Sequence, residues 1–541
     1  MNWAQARIGR TERELMSASL DERIGQDHGI RMLDALLREL DWTEWEASYQ
    51  RDGAGRPPIH PQQMCAAILY GLIKRIRSLR ELEEATRVRI DFQWLLEGRV
   101  VDHTTFGTFK KRFDGKIQEL FKQISRKAAD LRGATLEEVV VDGSRLRADS
   151  DRHGARTARG LEKRLEKLEE RLSSDLEKLA EEEKSEPEEC EELEKEIQRL
   201  KAQRQKLEAA LKEARRRDEL KRAKDGAKAS PVRVSVSDLD SYVMPNKEGG
   251  YAPNYTPVVA VESEHGLIVA AEVAEANAEA ATVEDLLDEA SQVGKGEPER
   301  ILFDGGFASG SNLEELDQRG VDVYASCSSS GEGNPAMRRN PSEPIAEERL
   351  KDLPKRGGKF ERAAFFYDAS GDCYYCPQGR QVNRYRTIKR KDGNGGSIEV
   401  VEYRCTDCDT CPLAEQCLSG KAKRRTISRD KYQAFRDELA EKMSSPEAAQ
   451  IYARRAPVVE GTFGTIKSGL GIRRFARRGM GKVRAEWHWI CAAFNLIKLL
   501  KAAQRWNPSP LGGILSARDR GKEPGVIWRI RRVWVVASSR I

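Results

Sequence analysis

No stretch of this chain is apolar for long enough to cross a bilayer, and its first residues lack the apolar segment of a signal peptide. A general basic excess is also missing, because 34% of the residues are charged but the net charge is only +6 over 541 residues. Any contact with nucleic acid must therefore come from local clusters of Lys and Arg. These features predict a soluble cytoplasmic protein of several domains with no membrane partner.

Cysteine is scarce outside one segment. Six of the ten cysteines are close together: Cys373, Cys376, Cys405, Cys408, Cys411 and Cys417. The first four form two Cys-x-x-Cys knuckles, a spacing typical of a tetrahedral structural zinc site. The last four are also closely spaced, so they are an alternative ligand set. Their spacing also leaves an iron–sulphur centre as the alternative to zinc. We predict one structural Zn²⁺.

Three acidic residues stand in settings that suit a metal-dependent reaction. Asp142 ends a run of valines, Asp304 ends the run Ile-Leu-Phe-Asp-Gly-Gly, and Glu460 lies in a predicted helix. Such carboxylates hold hard divalent cations, which also contact substrate phosphates. Phosphodiester chemistry on nucleic acid is therefore the leading hypothesis. Glu486, in a nearby helix, is the reserve candidate for the third acid.

Two regions are predicted to be helical. From 60 to 113 apolar residues recur at helical spacing, which is compatible with a helix-turn-helix-like DNA module or with a bundle that only packs on the core. From 160 to 218 leucines follow a heptad pattern that is interrupted around Pro187. This pattern predicts an antiparallel coiled-coil hairpin, with a dimerising coil as the alternative.

The acidic residues lie within a predicted alternation of strands and helices. The predicted order is three strands, then helix, strand, helix, strand and helix, with a hairpin turn at Glu264-His265-Gly266 between the second and third strands. If the first three strands form a meander, this is the order of an α/β ribonuclease-H-like core. The coiled coil is then an insertion after the first strand, and the cysteine segment is an insertion before the last helix.

The C-terminal region carries a resemblance to a known family. Four residues resemble the Tyr-Arg-Glu-Lys signature of bacterial insertion-sequence transposases of the DDE class: Tyr452, Arg455, Glu460 and Lys467. Six residues separate the Glu from the Lys, as in the signature, but four rather than three separate the Arg from the Glu. The segments around Asp142 and Asp304 are similar to the two aspartate blocks of the family. The helices from about residue 58 are similar to its N-terminal domain, so the resemblance covers most of residues 58–503.

The resemblance implies a DDE transposase that cleaves and joins DNA strands at the terminal inverted repeats of its own element. Its partners would be double-stranded DNA, both the repeats and the target, and a second copy of the chain in a homodimer on DNA in the bacterial nucleoid. Asp142, Asp304 and Glu460 would be catalytic and hold two Mg²⁺ or Mn²⁺ ions. The expected DNA contacts are Lys467, Arg455, Arg473, Arg474, Arg477 and Arg478. A catalytically inactive DNA-binding architectural protein and a plain metal-dependent nuclease remain as alternatives.

The predicted domain organisation has seven parts. They are an N-terminal helical, DNA-binding domain (1–132), the first core strand (133–158), a coiled-coil insertion (159–226), the ribonuclease-H-like core (227–330), a Cys-rich zinc-binding insertion (331–430), C-terminal core helices with the catalytic Glu (431–503) and a tail (504–541).

Overall fold

The computed structural model describes residues 18–506 apart from 50–56, 152–153, 183–186, 227–228, 247–248, 277, 327–333, 339, 392–395 and 421. These residues form a mixed α/β fold with several sheets. The predicted turn at 185–186 and the tail beyond 506 lie outside the described residues. Within the described part of the chain, no helix combines the length and the apolar character needed to span a membrane.

The N-terminal part is helical, as predicted. Its helices are α1 (Gly29–Arg38), α2 (Thr43–Glu46), α3 (Pro61–Ile73), α4 (Leu79–Val88), α5 (Ile90–Leu95), α6 (His103–Phe113) and α7 (Ile117–Arg132). The Asp102 side chain accepts a hydrogen bond from the backbone N–H of Thr105 at 2.8 Å and so caps α6. Gly133 ends α7 in the left-handed conformation.

A long helical hairpin follows the first strand of the sheet. The elements of this region are β1 (Glu138–Gly143), β2 (Leu146–Arg147), β3 (Ala155–Arg156), α8 (Ala158–Glu182), α9 (Pro187–Asp225) and β4 (Val234–Ser235). Ion pairs run from Glu162 to Arg215 and from Glu169 to Arg204, so the two helices are antiparallel. Their buried residues, such as Leu165 and Leu200, form a separate hydrophobic cluster. The hairpin therefore has a core of its own.

The central sheet carries the predicted order of strands and helices. Its further elements are β5 (Tyr242–Pro245), β6 (Tyr251–Glu262), β7 (Ile268–Ala274), α10 (Val283–Gly294), β8 (Arg300–Phe303), α11 (Gly310–Gln318) and β9 (Asp322–Ala325). Across the sheet the order is β7, β6, β1, β8, β9, and β2 and β5 pair with the first half of β6. Strand β6 is antiparallel to β1 and β7, whereas β1, β8 and β9 are parallel. The predicted turn between β6 and β7 is confirmed.

Alternate residues of β6 reach opposite faces of this sheet, as expected for a strand buried on both sides. Val258 and Ala260 pack in a cluster with α10 and α11. Val259 and Val261 pack with α7 and with the last helix of the chain. The N-terminal helices and the sheet therefore share one continuous hydrophobic core.

The cysteine segment forms a second, antiparallel sheet. Its elements are β10 (Lys355–Arg356), β11 (Lys359–Phe360), β12 (Phe366–Asp368), β13 (Cys373–Tyr375), β14 (Gln381–Lys391), β15 (Ser397–Cys405), α12 (Ala414–Cys417) and β16 (Thr426–Asp430). Strands β12 to β16 pair in chain order. Several of its cysteines belong to a compact cluster of buried residues that includes Phe360 and Tyr403.

The last helices return to the central sheet. They are α13 (Gln433–Lys442), α14 (Pro446–Ala453), α15 (Arg455–Gly464) and α16 (Met480–Trp506), and a π-helical turn follows α15 at Thr465–Gly469. Val459 of α15 packs against Val140 and Leu302 of neighbouring strands. The Asn495 side chain of α16 donates a hydrogen bond to the Ile268 carbonyl at 2.7 Å. The Val459 contacts hold α15 against β1 and β8, and the Asn495 hydrogen bond holds α16 against β7.

Candidate active site

Two of the predicted acids lie at the same edge of the central sheet. Val140 of β1 is paired with Leu302 of β8, and the two strands are parallel. Asp142 and Asp304 each follow these residues by two positions. Because parallel strands in register end at the same edge, their carboxylates reach one region of the surface. This region is the candidate active site.

The backbone around each aspartate orients its carboxylate. One Asp142 oxygen accepts a hydrogen bond from the Gly143 N–H at 2.9 Å, and one Asp304 oxygen accepts from the Gly306 N–H at 2.8 Å. A Cβ at Gly305 would lie 2.7 Å from the carbonyl oxygen of Ser326. Glycine is therefore required at 305, because any side chain there would collide with the main chain that follows β9.

Arg455 joins the two aspartates. Its Nη2 lies 3.0 Å from Asp142 Oδ1 and 4.0 Å from Asp304 Oδ2. The Arg455 side chain is 16% exposed, against 45% for Asp304, so the arginine is the more buried partner of this pair. A single cationic group therefore already bridges both acids. The spacing between Arg455 and Glu460 is one residue longer than in the Tyr-Arg-Glu-Lys signature, but Arg455 still reaches the site.

The other two signature residues lie beyond Arg455 on the same segment. Glu460 is exposed and lies five residues further along α15, next to the buried Val459. Among the residues that the structure describes, the Glu460 side chain has no hydrogen-bond or ion-pair partner. Lys467 lies in the π-helical turn, and its ammonium donates a hydrogen bond to the Ser144 hydroxyl at 2.7 Å. The structure thus brings Lys467 next to the loop that follows Asp142.

Glu279 is a further acid at the site, and the sequence analysis missed it. It begins the short 3-10 turn at Glu279–Thr282, between β7 and α10. Partial burial and the nearby negative charges of Asp304 and Asp142 raise the pKa of Glu279 above its ordinary value. Its setting, Ala-Glu-Ala, has no distinguishing pattern among the 88 acidic residues of the chain. Only its position after β7, the third strand of the predicted meander, could have indicated Glu279 as a residue of the site.

A basic cavity of ≈ 300 Å³ opens beside these acids. Its charged lining consists of Arg145, Arg147, Lys467, Arg473 and Glu279. The main chain of Arg473 to Phe475 pairs with that of Arg147 and so forms one wall of the cavity. Because four of its five charged side chains are cationic, the cavity suits a polyanion.

The predicted DNA-binding arginines have different surroundings. Arg473 and Arg474 are exposed. Arg477 is only 19% exposed and binds both carboxylate oxygens of Asp114, at the end of α6. Arg478 pairs with Asp149 at 3.0 Å and stays 53% exposed. Arg477 therefore links the N-terminal helices to the loop before α16.

Glu486, the reserve candidate for the third acid, is buried and binds the backbone of a loop. Its buried carboxylate accepts hydrogen bonds from the backbone N–H groups of Ala476, at 2.9 Å, and Arg477, at 3.0 Å. It also lies 3.4 Å from the guanidinium of Arg77. These contacts stabilise the loop before α16.

The cysteine segment contains a second candidate site. Five cysteines line one cavity of ≈ 20 Å³: Cys376, Cys405, Cys408, Cys411 and Cys417. Cys373 is not among them, and its sulfur accepts a hydrogen bond from the Gln381 amide. Burial raises the pKa of Cys405 to about 12 and that of Cys417 to about 11. Among the described residues no three of these sulfurs lie within 4.8 Å of one another, so a bound ion would have to draw them together.

Comparisons with known proteins agree with the motifs. Residues 375–500 match a family model described as a transposase DDE domain, and residues 18–112 match a model described as a transposase domain (DUF772). No curated protein matches the chain. A solved structure of the piggyBac transposase synaptic complex with hairpin DNA aligns over 94% of this chain and 80% of that chain, with 10% identity and a TM-score of 0.32.

The two family models cover different parts of the predicted resemblance. One spans most of the N-terminal helices, and the other spans the cysteine segment from residue 375 onward and the helix that carries Arg455 and Glu460. Neither range includes Asp142 or Asp304, whose assignment depends on the sheet geometry. Together the matches support a transposase function. The resemblance of this chain to transposases of the DDE class is thereby confirmed.

Proposed function

We propose that this protein is a DDE transposase that cleaves and joins DNA strands at the terminal inverted repeats of an insertion sequence. The observation that carries the proposal is the pair Asp142 and Asp304, which sit at the ends of neighbouring parallel strands and share the guanidinium of Arg455. Arg455 begins the helix that also holds Glu460. Two carboxylates and a third acid on an adjacent helix suit phosphodiester chemistry.

We further propose a ribonuclease-H-like core for the central sheet. Its support is the order β7, β6, β1, β8, β9, in which only β6 runs antiparallel to the other four strands. In this arrangement the coiled-coil hairpin (159–226) and the Cys-rich segment (331–430) are insertions, and 1–132 forms the DNA-binding domain. The insertions leave the register of β1 on β6 and β8 intact.

The carboxylates fit divalent cations. Asp142 and Asp304 both approach one cationic nitrogen, and oxygen donors of this kind suit Mg²⁺ or Mn²⁺. Asp142, Asp304 and Glu460 would hold two such ions. A bound ion supplies Lewis-acid stabilisation of the phosphate oxygens.

The residues around the acids would position the DNA. Lys467 lines the basic cavity, where its ammonium can bind a backbone phosphate. Arg473 and Arg474, which are exposed, extend this basic surface, whereas Arg478 contributes less because it is paired with Asp149. Arg455 holds the two aspartates in place rather than contacting DNA.

For the cysteine segment we propose one structural Zn²⁺. Five thiols surround a cavity about as large as a single water-sized sphere, and four of them complete a tetrahedral shell. This favours a ligand set drawn from the lining cysteines over one that contains Cys373. Thiolate ligation is pH-dependent, because each bound cysteine must lose its proton.

The proposal is tested with the purified full-length chain and a labelled duplex that carries the DNA flanking its coding region. With Mg²⁺, the wild-type chain should nick the repeat ends and join the resulting 3′ ends to target DNA. Asp142→Asn, Asp304→Asn and Glu460→Gln should lose cleavage and keep DNA binding. The matched control is Asp317→Asn, an exposed acid on α11. Cleavage without joining would indicate a nuclease, and binding without cleavage an architectural protein.

A further inference from the structure

One arginine of the N-terminal helices binds the segment that carries Lys467. Arg75 lies between α3 and α4, and its guanidinium donates hydrogen bonds to two consecutive carbonyl groups. The Nε–H bonds the Gly469 carbonyl at 2.7 Å, and Nη2 bonds the Ser468 carbonyl at 3.1 Å. These two residues end the π-helical turn. Because the last carbonyl groups of a helix lack partners within it, Arg75 caps this end of the helix from outside.

The capped segment carries three of the four residues of the Tyr-Arg-Glu-Lys signature. Helix α15 begins at Arg455, includes Glu460 and runs directly into the π-helical turn with Lys467. The Lys467 ammonium is bound to the Ser144 hydroxyl, next to the end of β1. The carbonyl groups that Arg75 binds lie one and two residues beyond Lys467. They therefore restrict where Lys467 can lie relative to the carboxylates.

The backbone of Arg75 has a conformation that arginine rarely adopts. Its φ is +64°, in the left-handed region. The Arg75 N–H bonds the Leu72 carbonyl, and the Ile76 N–H bonds the Gly71 carbonyl. This is the pattern of a helix end at which glycine usually takes the left-handed position, because a side chain there costs free energy. The arginine at 75 is therefore best explained by what its side chain binds.

A second arginine of the same connection holds the same loop. The Arg77 guanidinium donates a hydrogen bond to the Arg474 carbonyl. The preceding residue, Arg473, lines the basic cavity. The connection between α3 and α4 thus binds the chain on both sides of residues 470–473. The position of this wall of the cavity depends on the N-terminal helices as well as on β2.

From these contacts we propose that Arg75 is a positioning residue for strand cleavage, which acts by holding Lys467 at the active site. The inference rests on the proposed function, because it concerns the Lys467 that is assigned there to a DNA phosphate. It also gives the N-terminal helices a role beyond DNA binding, since one of their connections then helps to assemble the active site. The task of Arg75 is to bind the two carbonyl groups and not a phosphate.

The first test uses the full-length chain with the labelled repeat duplex and Mg²⁺. Arg75→Gly should lower the single-turnover rate of strand cleavage about tenfold or more, because Lys467 is no longer held in position. Its melting temperature should not fall below that of the wild type. Glycine relieves the left-handed backbone, and the hydrogen bonds that are lost are exposed to water.

Lys295→Gly is the matched control. Lys295 follows the end of α10 with φ +63°, and its side chain is 76% exposed. The substitution makes the same backbone change away from the site, so Lys295→Gly should cleave like the wild type. If Arg75→Gly melts several degrees below the wild type, Arg75 supports the fold as a whole, and the inference is overturned.

A double-mutant cycle shows whether Arg75 acts through Lys467. Lys467→Gln alone should slow cleavage, and adding Arg75→Gly should slow it by less than about twofold more, because residues that act as one unit are not additive. Two effects that multiply would mean that Arg75 acts independently of Lys467, and the inference would be wrong.

The conservative variant tests the fork of the guanidinium. Arg75→Lys should restore only part of the cleavage rate, because one ammonium does not reproduce two donors in a fixed geometry. Complete rescue would indicate that the charge at 75 contacts a DNA phosphate, which contradicts a positioning role.

The outcomes also distinguish this inference from the proposed function. If the wild type cleaves the repeat duplex and Arg75→Gly cleaves it equally fast, the inference is wrong and the proposed function stands. If the wild type neither nicks nor joins the duplex with Mg²⁺, both are wrong.

Discussion

The carboxylate site and the cysteine cluster are assembled in opposite ways. Asp142, Glu279, Asp304 and Arg455 come from four elements separated by long stretches of chain, including the whole helical hairpin. The five cysteines around the small cavity all lie between 376 and 417. The first site depends on long-range strand pairing, whereas the second depends on local turns and hairpins.

This difference determines what stabilises each site. The aspartates are placed by the register of β1 on β8, which is fixed by fully buried residues such as Val140 and Leu302. Three of the five cysteines, Cys376, Cys408 and Cys411, lie in loops, and the hydrophobic cluster around the cysteines is smaller. We therefore expect the carboxylate site to keep its shape without metal and the cysteine segment to need metal to stay folded.

The largest expected effect comes from disturbing the backbone of the carboxylate site. Gly305→Ala would place a Cβ 2.7 Å from the Ser326 carbonyl oxygen and displace the loop that holds Asp304. Because misplacing a reacting group by about 1 Å costs roughly a hundredfold in rate, cleavage should fall at least about that much. Single-turnover cleavage of labelled repeat DNA measures it. The control is Gly296→Ala, where a Cβ meets nothing within 4 Å. Wild-type cleavage by Gly305→Ala would show that the loop can adjust.

The next effect should be confined to the cysteine segment. Cys405→Ser should reduce the zinc content from about one ion per chain to near zero and expose residues 370–420 to proteolysis, since metal binding there contributes to folding. Elemental analysis and limited proteolysis measure the two changes. Cys373→Ser is the matched control, because its sulfur lies outside the cavity lining, and it should retain zinc. Iron with a visible absorption band would refute the zinc assignment.

The two regions should also differ in their response to pH. Burial raises the pKa of Glu289, beneath the sheet, to about 7. An acid with a raised pKa in the folded state contributes stability at low pH, and this contribution is lost as pH rises through the folded value. Glu289→Gln should therefore be more stable than the wild type above pH 7, by about 3 kcal/mol, and little different near pH 4.

Urea unfolding at pH 5 and pH 8 measures this difference. Glu284→Gln, on the exposed side of the same helix, is the control and should show no such dependence. The cysteine segment should respond in the opposite direction, because thiolate ligands bind metal more tightly as pH rises. Equal pH dependence of Glu289→Gln and the wild type would mean that folding does not raise the pKa of Glu289.

Sequence patterns were informative where local chemistry is distinctive. The strand order, the turn between β6 and β7 and the N-terminal helices follow from apolar periodicity and turn residues. Asp142 and Asp304 could be selected because each ends an apolar run. The parallel pairing of β1 with β8 then brings them to one edge of the sheet.

What the sequence did not indicate depends on contacts between distant segments. Glu279 has no local pattern and is identified only by its distance from Gly143. Arg477 resembles its basic neighbours in sequence but pairs with Asp114 across 363 positions. The knuckle spacing suggested Cys373 as a ligand, whereas the cavity is lined by cysteines from later turns. Spacing restricts which groups can meet, and packing decides which of them do.

The smallest effect is expected from shortening the helical hairpin. Replacing residues 169–204 with a short Gly/Ser linker removes its outer part and keeps the base, where Arg217 donates a hydrogen bond to the Ser241 carbonyl at 2.9 Å. Mn²⁺ binding and the melting temperature of the core should be unchanged, because the hairpin buries its own leucines. Arg217→Ala, at the base, should instead destabilise the chain by about 1–3 kcal/mol, since it leaves buried carbonyl groups unpaired. Light scattering of the shortened chain completes the test. If the full chain is a dimer and the shortened chain is a monomer, the hairpin pairs with a second copy of the chain. Its two helices would then not pack only against each other.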